Sequence, residues 1–450
     1  MMTDRNQHST HVRLCLLLVC LALLSQPVRA LDAVAEPALT PSANGYIVKL
    51  KAPLLQSSGA KKMTTLMPNV YYTEDTALAE QLLKKGLAEY VTPNSVVQLY
   101  DSPESTMQGH SGWVYDALQG WTADKLGLDG SGVRIAVLDS GLDPTNTDLP
   151  QGSIENGFDY VDGSETMSDP LGHGTKVAQM ICAVANDFGA TGIARGATIV
   201  PLRCFNKGGG ATSAALIQAI CEAVDKFNCK IINMSWGMQK NEPWLQEAID
   251  YAADKGAILV ASAGNVGDFP KNTVLYPAGY PNVIGVGSVN ESMLVAFHSE
   301  QTEAVCVCAP GEQVPLWYGG NTVYESGTSY ASPCVAAMLA LCVQAGIVSD
   351  ASSAQELLCR RARDRGEPGY DTAYGNGTLT VSSLIPGNFL QKTGGSLILA
   401  AYTDRGKQRS CQVLTQAETA AVLEDAFAAY GAKARLFAVN SLWVPTDILS

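Results

Sequence analysis

Apolar and polar positions fall into three regimes along the chain. After a loose Pro- and Ala-containing stretch, Tyr46-Ile47-Val48-Lys49-Leu50-Lys51 reads as a strand, and a second apolar strand follows near Val70-Tyr71-Tyr72. Thr73 can cap a helix from about Asp75 to Lys85, with Ala79, Leu82 and Leu83 on one face and Gly86 as its stop. Leu87 to Leu99 is strand-like again, broken by Pro93-Asn94. A unit of this size, about 55 residues, has a marginal core of its own and is easier to explain if it folds against a neighbour. From about Gly132 the pattern alternates. Strands are expected at Val133–Leu138, Thr198–Leu202, Lys230–Met234, Ile258–Ala261 and Val283–Val286, and helices at Thr175–Val184, Ser213–Lys226, Glu242–Asp254 and Ser329–Ala345. Such alternation predicts right-handed βαβ units, hence a parallel sheet with helices on both faces. Active-site residues then collect at the carboxyl ends of the strands.

The alternation ends near Leu384, after the turn-rich stretch Tyr370–Gly377. A different tail begins at about Gly387, with strands expected at Ser396–Tyr402, Cys411–Leu414, Ala434–Val439 and Leu442–Val444 and a helix at Glu418–Tyr430. The expected fold class is therefore α/β, with a small α+β unit before the parallel sheet and a small β-rich tail after it.

The N-terminus changes the picture of destination. Arg5, His11 and Arg13 precede an apolar run from Leu14 to Leu24, and Val28-Arg29-Ala30 supplies small residues at the −3 and −1 positions of a cleavage site. The run is too short to span a bilayer and fits the core of a secretory signal, and no later stretch approaches the roughly 18 apolar residues of a membrane span. The alternative is an uncleaved membrane anchor. The formal net charge of −13 argues against a nucleic-acid partner, which needs a basic face. Charged residues make up only 16% of the 450 residues, which argues against a disordered polyelectrolyte. Cys15 and Cys20 fall in the leader, and ten of the 12 cysteines follow it. Most sit in apolar runs such as Ile181-Cys182-Ala183 and read as small core residues. No repeated CxxC or His spacing points to zinc, and the pairing of any disulfides stays open.

Three segments carry a carboxylate, a base and a nucleophile. The strand Val137-Leu138 runs directly into Asp139-Ser140-Gly141, Gly172-His173-Gly174 opens an apolar helix, and Ser326-Gly327-Thr328-Ser329 opens another. Acyl transfer by serine needs all three groups, because a hydroxyl is a poor nucleophile until an imidazole takes its proton and a carboxylate orients the imidazole. Taken singly, Asp139 could be a turn aspartate, His173 a surface residue or metal ligand, and Ser329 a plain helix cap. A fourth segment, Ala261-Ser262-Ala263-Gly264-Asn265, puts a side-chain amide at a strand end, which is one way to build an oxyanion hole.

The chain order Asp139, His173, Asn265, Ser329 resembles the subtilisin-like (subtilase) serine proteases over about residues 110–385 and differs from the chymotrypsin and α/β-hydrolase orders. No Gly-x-Ser-x-Gly elbow surrounds Ser329. The resemblance implies a catalytic triad of Asp139, His173 and Ser329 with Asn265 as oxyanion donor. It also implies substrate-binding segments at Gly208-Gly209-Gly210, at Ser235-Trp236-Gly237 and at Ala263-Gly264. Asp148 and Asn186, with carbonyls of Val184, Phe188 and Ala190, resemble the family's structural calcium loop, although a solvated loop is the plainer reading.

The elements around Tyr46–Lys49 and Glu89–Asn94 resemble the family's inhibitory propeptide, with self-cleavage expected between Leu99 and Gly112. The implied organisation is a signal peptide (1–30), a propeptide (31–108), a catalytic domain (109–385) and a C-terminal module (386–450). The protein would be a secreted, monomeric endopeptidase acting on polypeptides, made as a self-processing zymogen and held by its own propeptide as intramolecular inhibitor. It would bind no nucleic acid and keep no stable membrane anchor. A catalytically degenerate fold kept as a binding or scaffold protein is the alternative. Three positions depart from the family pattern: Lys176 stands where a second His is usual, Gln179 where Gly is usual, and Tyr330 where Met is commoner. Val266 supplies no carboxylate after Asn265, so an apolar P1 preference is expected.

Overall fold

A computed structural model describes residues 42–53, 62–99, 112–165, 167–265 and 272–385, Leu39, and the backbone of four strands in the tail. The expected signal peptide lies outside the described residues. Among those described, no helix is long and apolar enough to cross a membrane.

The chain divides into two compact units, one running to Thr64 and resuming over Asn69–Pro93, the other comprising Thr65–Pro68 and the chain from Asn94 onward. In the first, β1 (Tyr46–Leu50) pairs antiparallel with β3 (Val70–Thr73) and β4 (Ala88–Pro93). β2 (Thr64–Met67) straddles the division. Tyr46, Val48, Leu50, Tyr71 and Ala88 meet Ala79 of α1 (Thr76–Lys84) in the core. The cap of α1 is Asp75, not Thr73: its carboxylate accepts from Leu78 N at 2.9 Å. Thr73 ends β3 instead, two residues too early to reach the helix donors, and its hydroxyl accepts from Asp75 N.

The second unit is built on a seven-stranded sheet in the order β13-β12-β11-β10-β6-β8-β7. Its strands are β6 (Arg134–Asp139), β7 (Phe158–Asp159), β8 (Thr198–Arg203), β10 (Ile231–Met234), β11 (Ile258–Ser262), β12 (Val283–Val289) and β13 (Val307–Pro310). All of its pairings are parallel. β10, β11 and β12 are buried at every position, as expected of a sheet covered on both faces. The cover is helical. α4 (His173–Cys182) packs on α7 (Thr328–Gln344), which lies across β10 to β13, and α5 (Ser213–Asp225) packs on α6 (Pro243–Asp254). The strand order turns about β6: the chain fills β7 and β8 on one side of it, then crosses to β10 on the other. That crevice is where an open α/β sheet binds ligands.

Several elements were not expected from the pattern. They include the helices α2 (Trp113–Ala117), α3 (Gly120–Leu126), α8 (Ala351–Arg361) and α9 (Val381–Leu384), and the strands β2, β7, β9 (Gly210–Thr212), β13, β14 (Val314–Tyr318) and β15 (Asn321–Glu325), whereas β5 (Val96–Gln98) falls in the strand-like segment expected after Pro93-Asn94. In the tail, β16 (Ser396–Tyr402) pairs antiparallel with β17 (Gln408–Leu414) and β18 (Ala434–Val439), and β18 with β19 (Pro445–Leu449). The helix expected at Glu418–Tyr430 and the strand at Leu442–Val444 lie outside the described residues.

Candidate active site

Asp139 is the last residue of β6 and is fully buried. Its Oδ1 accepts from Ser140 N at 2.7 Å and from His173 Nδ1 at 2.7 Å. His173 is the first residue of α4, and the approach of that helix to the end of β6 is unusually close. A Cβ on Gly174 would lie 2.2 Å from the carbonyl oxygen of Gly141 and 3.1 Å from Asp139 Cβ, so only glycine fits there.

Asp169, a residue that the sequence pattern did not single out, locks this corner. Its Oδ1 accepts from Ser140 Oγ and Gly172 N, both at 2.7 Å, and its Oδ2 from Thr175 N at 2.8 Å and Thr175 Oγ1 at 2.6 Å. It thereby satisfies donors at the start of α4 and ties them to the residue after Asp139. Ser140 Oγ in turn accepts from Gly174 N at 3.0 Å.

Ser329 is the second residue of α7. Its Oγ donates to the carbonyl of Ser235 at 3.0 Å, and Ser235 Oγ donates to the carbonyl of Ser329 at 2.8 Å. The second bond is possible because Pro333 stands four residues on. Proline has no N–H, so the Ser329 carbonyl has no helical partner. Asn233 Nδ2 donates to Ser235 Oγ at 2.9 Å and fixes it from behind. The predicted cleft segment Ser235-Trp236-Gly237, which follows β10, thus touches the predicted nucleophile directly. Trp236 is buried beside Phe205, with ring centroids 6.0 Å apart.

Asn265 follows β11 through Ala263-Gly264. Its Oδ1 accepts from Thr328 N at 3.0 Å and from Thr328 Oγ1 at 3.1 Å, and Thr328 Oγ1 also accepts from Gly264 N at 3.1 Å. With its oxygen held by the residue before Ser329, the side chain keeps its NH₂ as the donor left to offer. Thr328 was not singled out in the sequence either; its place one residue before a candidate nucleophile was the available signal. Asp139, His173, Asn265 and Ser329 are each at least 95% buried. The Tyr330 ring lies 5.8 Å from the His173 imidazole, centroid to centroid.

The unusual residues of α4 have partners. Lys176 Nζ pairs with Glu325 at the end of β15 and lies 5.4 Å from the Tyr318 ring centroid. Gln179 is fully buried and pairs its amide with the backbone of Trp317, donating to the carbonyl at 2.9 Å and accepting from N at 2.7 Å.

The predicted edge segment Gly208–Gly210 leads into β9, whose Gly210, Ala211 and Thr212 pair antiparallel with Gln98, Val97 and Val96 of β5. Leu99 N donates to Gly209 O at 2.7 Å, and Ser213 N to Ser95 O at 2.9 Å. Asn94 Oδ1 accepts from Ala214 N at 2.9 Å, at the start of α5. An upstream stretch of the chain therefore lies along this edge as an added strand.

At the predicted cation loop, Asp148 is fully buried. Its Oδ1 accepts from Asn186 Nδ2 at 2.8 Å, while Oδ2 has no hydrogen-bond partner. Burial raises this carboxyl to about 6. Val184 N bonds the Asp148 carbonyl at 2.9 Å, and Phe188 N bonds Asn186 Oδ1 at 3.0 Å. An orphaned carboxylate oxygen inside a loop rich in carbonyls fits a hard, oxygen-seeking cation. Among the described residues, no three His, Cys, Asp or Glu side chains converge as a metal cluster.

Known proteins resemble this chain. Residues 130–377 match the model of the subtilase family. The thermophilic serine proteinase of Bacillus sp. (strain AK1) is 35% identical over 274 residues, which is 60% of this chain and 67% of that protein. The minor extracellular protease Epr of Bacillus subtilis (strain 168) is 32% identical over 70% of this chain, and the match spans about half (49%) of its own length. Among solved structures, fervidolysin from Fervidobacterium pennivorans, a keratinolytic enzyme related to subtilisin, superposes with a TM-score of 0.64 at 22% identity, over 82% of this chain and 67% of that one. At that identity the likeness concerns the fold, which is subtilisin-like. The chain belongs to the subtilase family of serine endopeptidases.

Proposed function

We propose that the protein is a secreted, self-processing endopeptidase that cleaves peptide bonds through an acyl-enzyme on Ser329. The observation that carries the reading is the 2.7 Å bond from His173 Nδ1 to the buried Asp139, with the imidazole 5.8 Å from the ring of Tyr330, the residue after Ser329. Asp139 holds the imidazole so that Nδ1 carries a proton and Nε2 is the basic nitrogen. His173 takes the proton of Ser329 as its Oγ leaves the Ser235 carbonyl and attacks the substrate carbonyl. The same imidazole then protonates the leaving amine, and water repeats the sequence to free the acid. Negative charge develops on the carbonyl oxygen, where the Asn265 amide and the Ser329 backbone N–H can donate. The second group has no carbonyl one turn back, being at the start of a helix.

β5, seated on β9, supports the reading of the upstream segment as an intramolecular inhibitor, because an extended peptide bound by strand addition has the form a substrate would take. The N-terminal leader supports export. For the cation loop we propose calcium, held by Asp148, Asn186 and the carbonyls of Val184, Phe188 and Ala190. The ion would neutralise the buried carboxylate and tie the end of α4 to the loop after β6.

Casein hydrolysis tests the proposal. The processed protein is expected to release peptides, and the Ser329→Ala variant to lose at least about 10,000-fold in rate. A processed, folded protein without activity, or a Ser329→Ala protein that keeps the full biological effect of the parent, would favour a degenerate binding fold instead.

A further inference from the structure

Nine described cysteines carry free thiols. Most are buried and spend their S–H locally. Cys182 donates to Ala178 O, Cys204 to Leu202 O, Cys229 to Phe227 O and Cys334 to Tyr330 O, at 3.4 to 3.8 Å. Cys306 and Cys359 differ: their thiols lie close enough to interact with each other. Cys306 lies just before β13, and its backbone is fixed on two sides. Its N–H bonds Gly285 O at 2.8 Å, and its carbonyl accepts from Asn376 N at 2.8 Å and Asn376 Nδ2 at 2.9 Å. Cys359 is exposed in the last turn of α8, a helix held by the Asp350–Ser353 capping box and by buried Leu357 and Leu358. Asn376 Nδ2 also lies 3.3 Å from Cys359 Sγ, so one amide spans both cysteines.

We propose that Cys306 and Cys359 form a reversible disulfide, closed by exchange with a low-molecular-weight disulfide such as oxidised glutathione. Between them lie β13, the β14–β15 hairpin and α7, so the closed bond makes a covalent loop of the segment that carries Ser329. Cys359 is suited to attack first, being exposed and held down to about 7 by the neighbouring Cys306 thiol. Its thiolate attacks one sulfur of the external disulfide and releases one small thiol, leaving a mixed disulfide. Cys306 then gives up its proton to solvent and attacks the Cys359 sulfur, forming the internal S–S bond and releasing the second thiol. Two electrons pass from the cysteine pair to the reagent. The proposal does not depend on the peptidase reading.

The test uses the full chain carrying Ser329→Ala, so that self-digestion cannot confuse peptide mapping. The protein is treated with oxidised glutathione, its remaining thiols are blocked with N-ethylmaleimide, and it is digested without reductant for mass spectrometry. The expected product joins the Cys306 and Cys359 peptides and is lighter by two hydrogens than their sum. Added reductant should then lower the Tm by on the order of 5 °C, as for a long closed loop in a domain of this size. That response should vanish in a protein that also carries Cys359→Ser. Separate maleimide or glutathione adducts on the two residues, linkage of Cys359 to a different cysteine, or a reductant response that survives Cys359→Ser would each overturn the proposal.

Discussion

At the scale of single residues, Asn265 is defined by what its oxygen does. Both donors of Thr328 hold Oδ1, so the side chain cannot turn over without breaking two bonds, and its NH₂ stays available for a developing oxyanion. Asn265→Ala is therefore expected to lower kcat about 100- to 1,000-fold with KM little changed, measured on a peptide amide substrate. A comparable loss in KM alone would assign Asn265 to ground-state binding. Asp139, His173, Asn265 and Ser329 stand out in the sequence as candidates because each sits where an apolar strand or helix pattern stops or starts, and the chemistry names the residue types. Asp169 and Thr328 do not, since an aspartate in a loop and a threonine before a serine have many uses. Asp169 carried one faint signal, an acidic residue ahead of a helix start. The structure gives it four acceptor bonds of 2.6 to 2.8 Å, and that number of bonds, not its type, marks it as a positioning residue.

At the scale of elements, α4 accommodates its departures through the β14–β15 hairpin. Lys176 and Glu325 are 13% and 23% exposed at the side chain, so truncating one leaves the other charge partly desolvated. Lys176→Met is expected to cost roughly 1–3 kcal/mol in urea unfolding, with part of that loss recovered when Glu325→Gln is added. Additive losses would show that the pair is not coupled.

The proposed calcium loop carries a pH dependence. Asp148 titrates near 6 in the fold and near 3.8 when unfolded. Without the ion, the native state holds this proton more tightly, so the group's contribution to stability is present below about 4 and lost as pH rises through 6. If calcium binds as proposed, the ionised form is its ligand. The Tm gained on adding calcium should therefore be largest above pH 6 and shrink as pH falls through it. A gain independent of pH between 5 and 7.5 would exclude Asp148 as a ligand.

The long strands and helices of the sheet were legible from periodicity, whereas β7 and β9, at two and three residues, are too short to show any. The hairpin had a usable cue in Gly319-Gly320. Both residues adopt positive φ, 60° and 80°, as a two-residue hairpin turn requires.

At the scale of the whole molecule, the alternation of strands and helices was enough to predict a parallel sheet covered by helices, because βαβ handedness leaves few other arrangements. The pairing of β5 with β9 was beyond the reach of the pattern. It joins segments more than a hundred residues apart through backbone bonds, to which side-chain types contribute little. The pairing makes a prediction about maturation. The wild-type chain should acquire a new N-terminus between Leu99 and Gly112 on export, and the Ser329→Ala chain should keep its upstream segment. Processing of Ser329→Ala to the same N-terminus in purified form would mean that another protease makes the cut.

The most direct test of the account is active-site labelling of the processed protein with a fluorophosphonate. It should attach one phosphonyl group per molecule, mapped to Ser329, and His173→Ala should abolish the reaction while leaving the fold intact by circular dichroism. A folded, processed protein that takes up no label, or takes it up equally well without His173, would contradict the claim that this histidine activates this serine.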